Sequence, residues 1–127
     1  MTEYGNRFLE QSDDTLLAAQ VLLEKELYDS CANRAYYAAF QAALAALTSF
    51  GLKAEKSEHK WVQATFNLIV NCCINANFST DASKPTLLDL QRIRNRADYT
   101  DKKIGFKIAH RQLAQAKVFV ETITQRL

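Results

Sequence analysis

The sequence predicts an all-α fold, an antiparallel bundle of five helices, on three observations. The chain has 127 residues, a length that suits one domain spanning 1–127 rather than two. It holds only three Gly and one Pro, too few turn formers for an all-β fold of this size. Apolar residues make up 48% and charged residues 24%, the balance of a folded chain, and the apolar ones recur at helical spacing.

The first helix is expected from about Asn6 to Glu26. Leu9, Leu16, Leu23 and Leu27 repeat along one face, with Ala19 and Leu22 widening the stripe. Acidic residues lead it and Lys25 closes it, as the helix dipole favours. Asp29-Ser30 offers an N-cap for a second helix, from about Cys31 to Phe50. Its middle, from Ala35 to Leu47, is apolar on nearly every face and rich in alanine. Such a helix belongs at the centre of a bundle, where neighbours approach it closely. Gly51 follows and suits a left-handed cap.

Ser57 can cap a third helix carrying Val62, Phe66, Ile69 and Cys73 on one face, with Trp61 beside them. The polar stretch Asn75 to Lys84 reads as a loop. Pro85 suits the first turn of a fourth helix, Thr86 and Asp89 resemble a capping box, and Leu87, Leu90, Ile93 and Ala97 form its inward stripe. Asp101-Lys102-Lys103 is a charged turn. Beyond Gly105 the last helix shows the cleanest period, through Ala109, Leu113, Ala116, Val120, Ile123 and Leu127. Short connections between five such helices make an antiparallel bundle.

Several function classes are excluded. The formal net charge of +2 is too small to indicate nucleic-acid binding from bulk charge, so any basic site is local. Cys31, Cys72 and Cys73 show no ligand spacing, and two histidines, His59 and His110, are too few for a structural zinc site. No metal and no cofactor is expected. The odd cysteine count points to a reducing compartment. The N-terminal residues lack a signal-peptide pattern. The stretch Ala35 to Leu47, interrupted by Gln41, falls short of the ~20 residues that span a bilayer. A soluble, cytoplasmic chain is expected.

Two segments depart from ordinary bundle sequence. In Asn33-Arg34-Ala35-Tyr36-Tyr37-Ala38-Ala39-Phe40 an arginine enters the most apolar helix, and Arg34 and Tyr37 are helical neighbours. Arg34 either bonds a carboxylate or loop carbonyls, or helps bind a ligand. In Gln91-Arg92-Ile93-Arg94-Asn95-Arg96-Ala97-Asp98-Tyr99, Arg92 and Arg96 are four apart, whereas Arg94 points elsewhere and can pair with Asp98. Asn95 can pair with Tyr99. The three arginines either answer the helix dipole or capture phosphate with their planar forks.

Arg-Ala-Tyr-Tyr-Ala-Ala-Phe on one helix with Leu-x-x-Ile-Arg-x-x-Ala-Asp-Tyr on a later one resembles the small stand-alone HEPN-domain proteins. The likeness runs from about Leu9 to Leu127 and includes Ser57-Glu58-His59-Lys60. It implies a helical bundle, commonly dimeric, from prokaryotic toxin–antitoxin or defence systems. Many such proteins are metal-independent RNases, and many are encoded beside a small MNT-type nucleotidyltransferase. Catalytic members carry an Arg, often followed by a polar residue, and a His after four to six intervening residues. Arg94-Asn95 matches the start of that motif, but positions 99 to 101 are Tyr, Thr and Asp. Counted from Arg92, positions 97 to 99 are Ala, Asp and Tyr, and Tyr99 then falls where some toxin members carry a tyrosine that the partner modifies.

Cleavage by 2′-OH attack needs a group that moves protons and one that stabilises phosphate charge. Arg94 suits the second task only, since a guanidinium is no base near neutral pH. The expectation is RNA or nucleotide recognition through Arg34, Tyr37, Arg92, Arg96 and Tyr99, with Arg94, Asn95 and Asp98 as the catalytic candidates. One alternative is a non-catalytic subunit that binds a nucleotidyltransferase. The other is a metal-independent endoribonuclease using Asp98 or His110 in place of the histidine. A two-fold homodimer joined through the end of the fourth predicted helix is also expected.

Overall fold

The computed structural model describes residues 3–49, 51, 62 and 87–126. Four α-helices lie among them: α1 (Glu3–Glu24), α2 (Tyr28–Ser49), α3 (Leu87–Tyr99) and α4 (Phe106–Arg126). The fold is all-α, with four described helices where five were expected. The helix expected from Ser57 to Cys73 and the polar loop after it lie outside the described residues, apart from Val62, which is helical and fully buried.

α2 is the hub. It packs most extensively along α1, and also against α3 and α4. Thirteen of its residues are buried, from Cys31 to Leu47, and ten of these are alanine or leucine, six of them in the unbroken run Ala42 to Leu47. Alanines let the neighbouring backbones come close, and Ser12 Oγ on α1 donates to Ala38 O at 2.7 Å. The Cys31 thiol is buried there, and desolvation pushes it up to about 11.

The last helix follows its sequence pattern. Ala109, Leu113, Ala116, Val120 and Ile123 are all buried, and each larger apolar side chain among them contributes roughly 1.5–3 kcal/mol by leaving water. Gln112 is the polar exception on this face, at 1% exposure. Its Nε2 donates to Leu90 O on α3 at 2.7 Å and reaches Ala32 O on α2 at 3.5 Å. The opposite amide orientation would set oxygen against two carbonyls, so the network fixes it.

The junction of α1 and α2 differs from the sequence expectation. α1 ends at Glu24, and Glu26 takes a left-handed φ of 62°. Glu26 N donates to Leu23 O at 3.1 Å and Leu27 N to Leu22 O at 2.9 Å, the paired bonds of a Schellman cap. The reversal is so tight that Leu27 O already accepts from Cys31 N at 2.9 Å, and α2 begins at Tyr28. Asp29 therefore lies inside the first turn instead of capping it. Its Oδ1 accepts the Ile104 N–H at 3.0 Å and anchors the α3–α4 connection. Leu27, counted in the apolar stripe of the first helix, sits beyond that helix and is 53% exposed.

No described helix is long and apolar enough to cross a membrane. Among the described residues no group of three or more His, Cys, Asp and Glu could hold a metal ion.

A left-handed non-glycine residue costs roughly 1–2 kcal/mol, partly offset for glycine by its greater unfolded-state freedom. Glu26→Gly is expected to raise stability by about 0.5–1 kcal/mol, seen as a higher thermal midpoint. A lower midpoint would show that the Glu26 side chain contributes more than its backbone strain costs.

Candidate functional site

The two unusual segments of the sequence meet where α2 crosses α3. Arg94 is on the inward side of α3, 8% exposed, and is the most deeply buried charge described. Its Nη2 donates to Tyr37 Oη on α2 at 2.8 Å, and its Nη1 donates to Asn95 Oδ1 at 2.9 Å. Its Nε stands 3.2 Å from Asp98 Oδ2, one turn further along. That N–H is not aligned on the oxygen, so the contact is an ion pair without a hydrogen bond. Three tyrosine rings surround the guanidinium, with Cζ 5.5 Å from the Tyr36 centroid, 5.3 Å from Tyr37 and 5.2 Å from Tyr99. The negative faces of such rings favour a cation that has left water.

Asp98 carries the cluster back to α2. Its Oδ2 accepts from Asn33 Nδ2 at 2.6 Å, and Asn33 Oδ1 accepts from Arg34 Nε at 2.9 Å and Nη2 at 2.7 Å. Arg34 Cζ lies 4.8 Å from the Tyr37 centroid. The contacts thus close a ring through Arg34, Asn33, Asp98, Arg94 and Tyr37. Asn33 presents its oxygen to a cation and its amide to an anion, the arrangement charge complementarity requires. The cluster holds two guanidiniums, of which Arg94 alone pairs with the one carboxylate, and so carries one positive charge in excess.

Arg94 is therefore the buried partner of Asp98, and Arg34 takes its fork to a neighbouring amide in place of a carboxylate or loop carbonyl. Asn95 serves Arg94 rather than Tyr99. Arg92 and Arg96 lie on the outward side and are exposed. Arg92 Nη1 is 3.8 Å from Asp89 Oδ1, with side chains 72% and 51% exposed, an ion pair of little energetic weight. Tyr99 is 71% exposed. His110 is exposed on α4, with its ring 5.5 Å from that of Phe106. His59, Cys72 and Cys73 lie outside the described residues. Sequence reasoning singled out neither Asn33 nor Tyr36 as a site residue. Asn33 directly precedes Arg34, and an amide beside a cation in an apolar helix is the one signal that pointed to it.

Arg94→Ala is expected to lower stability by about 2 kcal/mol, read as a reduced midpoint in urea, because it strips Asp98 of its cation and Tyr37 of its donor. Arg92→Ala is expected to stay within about 0.5 kcal/mol of the parent. An Arg94→Ala protein that unfolds at the parent midpoint would contradict a structural role for this guanidinium.

The HEPN domain family matches the chain over residues 6–127, across all four described helices. The chain is also 30% identical over 119 residues to a protein of Methanocaldococcus jannaschii named “Putative toxin MJ0605”, an alignment that covers 94% of this chain and 85% of that protein. The match takes in both segments that meet at Arg94. This chain belongs to the HEPN domain family.

Proposed function

We propose that this protein binds RNA through phosphate contacts at the outward face of α3, in a toxin–antitoxin or defence setting. Arg92 and Arg96 meet the phosphates, Tyr99 offers a ring to a base, and the Arg34–Asn33–Asp98–Arg94–Tyr37 cluster holds that end of the helix in place. The observation that carries this reading is the division of labour among the arginines. Arg34 and Arg94 are engaged within the fold, while Arg92 and the ring of Tyr99 are exposed beside them, at 72% for the Arg92 side chain and 71% for Tyr99. The excess positive charge of the cluster adds to the attraction for an anionic backbone.

Binding without cleavage by the arginine–histidine route is the expected outcome. No histidine follows Arg92 or Arg94 after four to six intervening residues. Asp98 is engaged by Asn33 and Arg94 within the fold, and the His110 ring lies against Phe106. A two-fold homodimer joined near the end of α3 belongs to the same proposal, because it would set the arginines of two copies around one strand. Light scattering that returned the mass of a single chain at micromolar concentration would remove that part.

The test is fluorescence anisotropy with a labelled single-stranded RNA over a salt series, with the labelled strand then run on a gel. Weak binding is expected, with log affinity falling by ~0.7 per phosphate contact for each decade of salt. Arg92→Ala/Arg96→Ala should weaken it and flatten the slope, and the strand should stay intact. Undiminished binding by that variant would overturn the phosphate assignment. Metal-independent cleavage lost in Asp98→Asn or His110→Ala would establish an enzyme instead. Binding to a nucleotidyltransferase with no affinity for RNA would support an interaction subunit.

A further inference from the structure

We infer that the segment from Lys102 to Arg111 is a second, separate contact surface for single-stranded RNA, built around Phe106 as a stacking platform. The inference rests on the RNA-binding reading above and extends it to a surface which that reading leaves unused. Phe106 opens α4 and is 54% exposed, although a ring of this size is favourably buried. It is nonetheless held in place. Tyr28 meets it edge-on with centroids 5.9 Å apart, and His110, one turn along, lies over it at 5.5 Å with 35° between the planes. A held ring that is still more than half exposed offers a surface on which an unstacked base can settle.

Within the stretch itself the charge is of one sign, with Asp101 before it and the Asp29 carboxylate turned to the Ile104 N–H. Lys102, Lys103, Lys107 and Arg111 are all exposed, and the stretch from Lys102 to Arg111 contains no carboxylate. Among the described residues none of these four cations forms a salt bridge. On α4, Lys107 and Arg111 are four apart, and each follows its aromatic neighbour, Phe106 or His110, by one position. The cationic stripe therefore runs beside the aromatic one on the side away from buried Ala109 and Leu113. Against a net charge of only +2, this is a local concentration of unengaged positive charge. A phosphodiester strand fits it, with backbone along the cations and a base on Phe106.

The connection that carries the lysines is itself fixed, because Ile104 is buried and its N–H is held by Asp29. Lys102 and Lys103 are thereby presented from a tethered loop, which lowers the ordering cost of binding.

The experiment measures affinity of the full chain for a labelled oligouridylate by anisotropy over a salt series, for Phe106→Ala, Phe106→Tyr, Lys107→Ala/Arg111→Ala and Arg92→Ala/Arg96→Ala. Circular dichroism confirms that each variant is folded. Phe106→Ala is expected to weaken binding ~5- to 100-fold with an unchanged salt slope, as loss of one stacked base does. Phe106→Tyr should retain affinity, since its ring still stacks. Lys107→Ala/Arg111→Ala should reduce the slope by ~1.4, two phosphate contacts on a single strand. If only Arg92→Ala/Arg96→Ala weakens binding, the second surface is overturned and the α3 reading stands. If the α4 variants lose affinity and the α3 variant does not, the α3 assignment falls and this one stands. A Phe106→Ala change that alters the mass in solution while leaving RNA affinity intact would make the platform a contact between chains and overturn the inference.

Discussion

A guanidinium cannot shed its proton near neutral pH, so a fold that buries Arg94 must supply partners for the charge. It draws them from two helices. α3 offers Asn95 and Asp98 within one turn, and α2 offers the hydroxyl of Tyr37 and the ring of Tyr36. This fixes the rotation of α3 about its axis, because turning it would take Arg94 away from Tyr37. With Arg94 inward, Arg92 and Arg96 must face outward. The exposure of the proposed RNA contacts is thus a consequence of the burial of their neighbour.

The same end of the bundle is restrained from other directions. Asn33 ties Asp98 to α2, and Gln112 on α4 grips Leu90 O, the carbonyl one helical turn before Arg94. Asp29 holds the connection that follows α3. These bonds are polar and lie between helices, where side-chain packing alone leaves small shifts in register open. A polar network with named partners selects one register more narrowly than alanine-rich surfaces do.

The sequence was legible where the information is local. The apolar-all-round α2 had to be central, the α4 stripe named its buried residues, and the i,i+4 spacing of Arg94 and Asp98 allowed their pairing. The bonds between helices were not legible. The contact of Asn33 with Asp98 spans 65 positions and depends on how α2 and α3 are rotated against each other, which periodicity within one helix does not fix. Glu26 in a left-handed cap was equally hidden, because the usual marker of such a turn is Gly or Asn. That cap sets the α2 start at Tyr28, which places Asp29 inside the first turn and Leu27 in the reversal rather than on the α1 stripe. The arginine pattern alone does not divide the four arginines by role. The same pattern names Arg92 and Arg96 together with Arg34 and Arg94, and only the packing of α2 on α3 separates the exposed pair from the engaged pair.

The central claim is that Arg34, Asn33, Asp98, Arg94 and Tyr37 act as one unit across two helices. A double-mutant cycle in urea, combining Asn33→Ala with Asp98→Ala, tests it most directly, since these two side chains form the hydrogen bond that closes the ring. The account predicts a coupling energy of about 1 kcal/mol or more between them. Two substitutions whose effects add to within about 0.5 kcal/mol would contradict it.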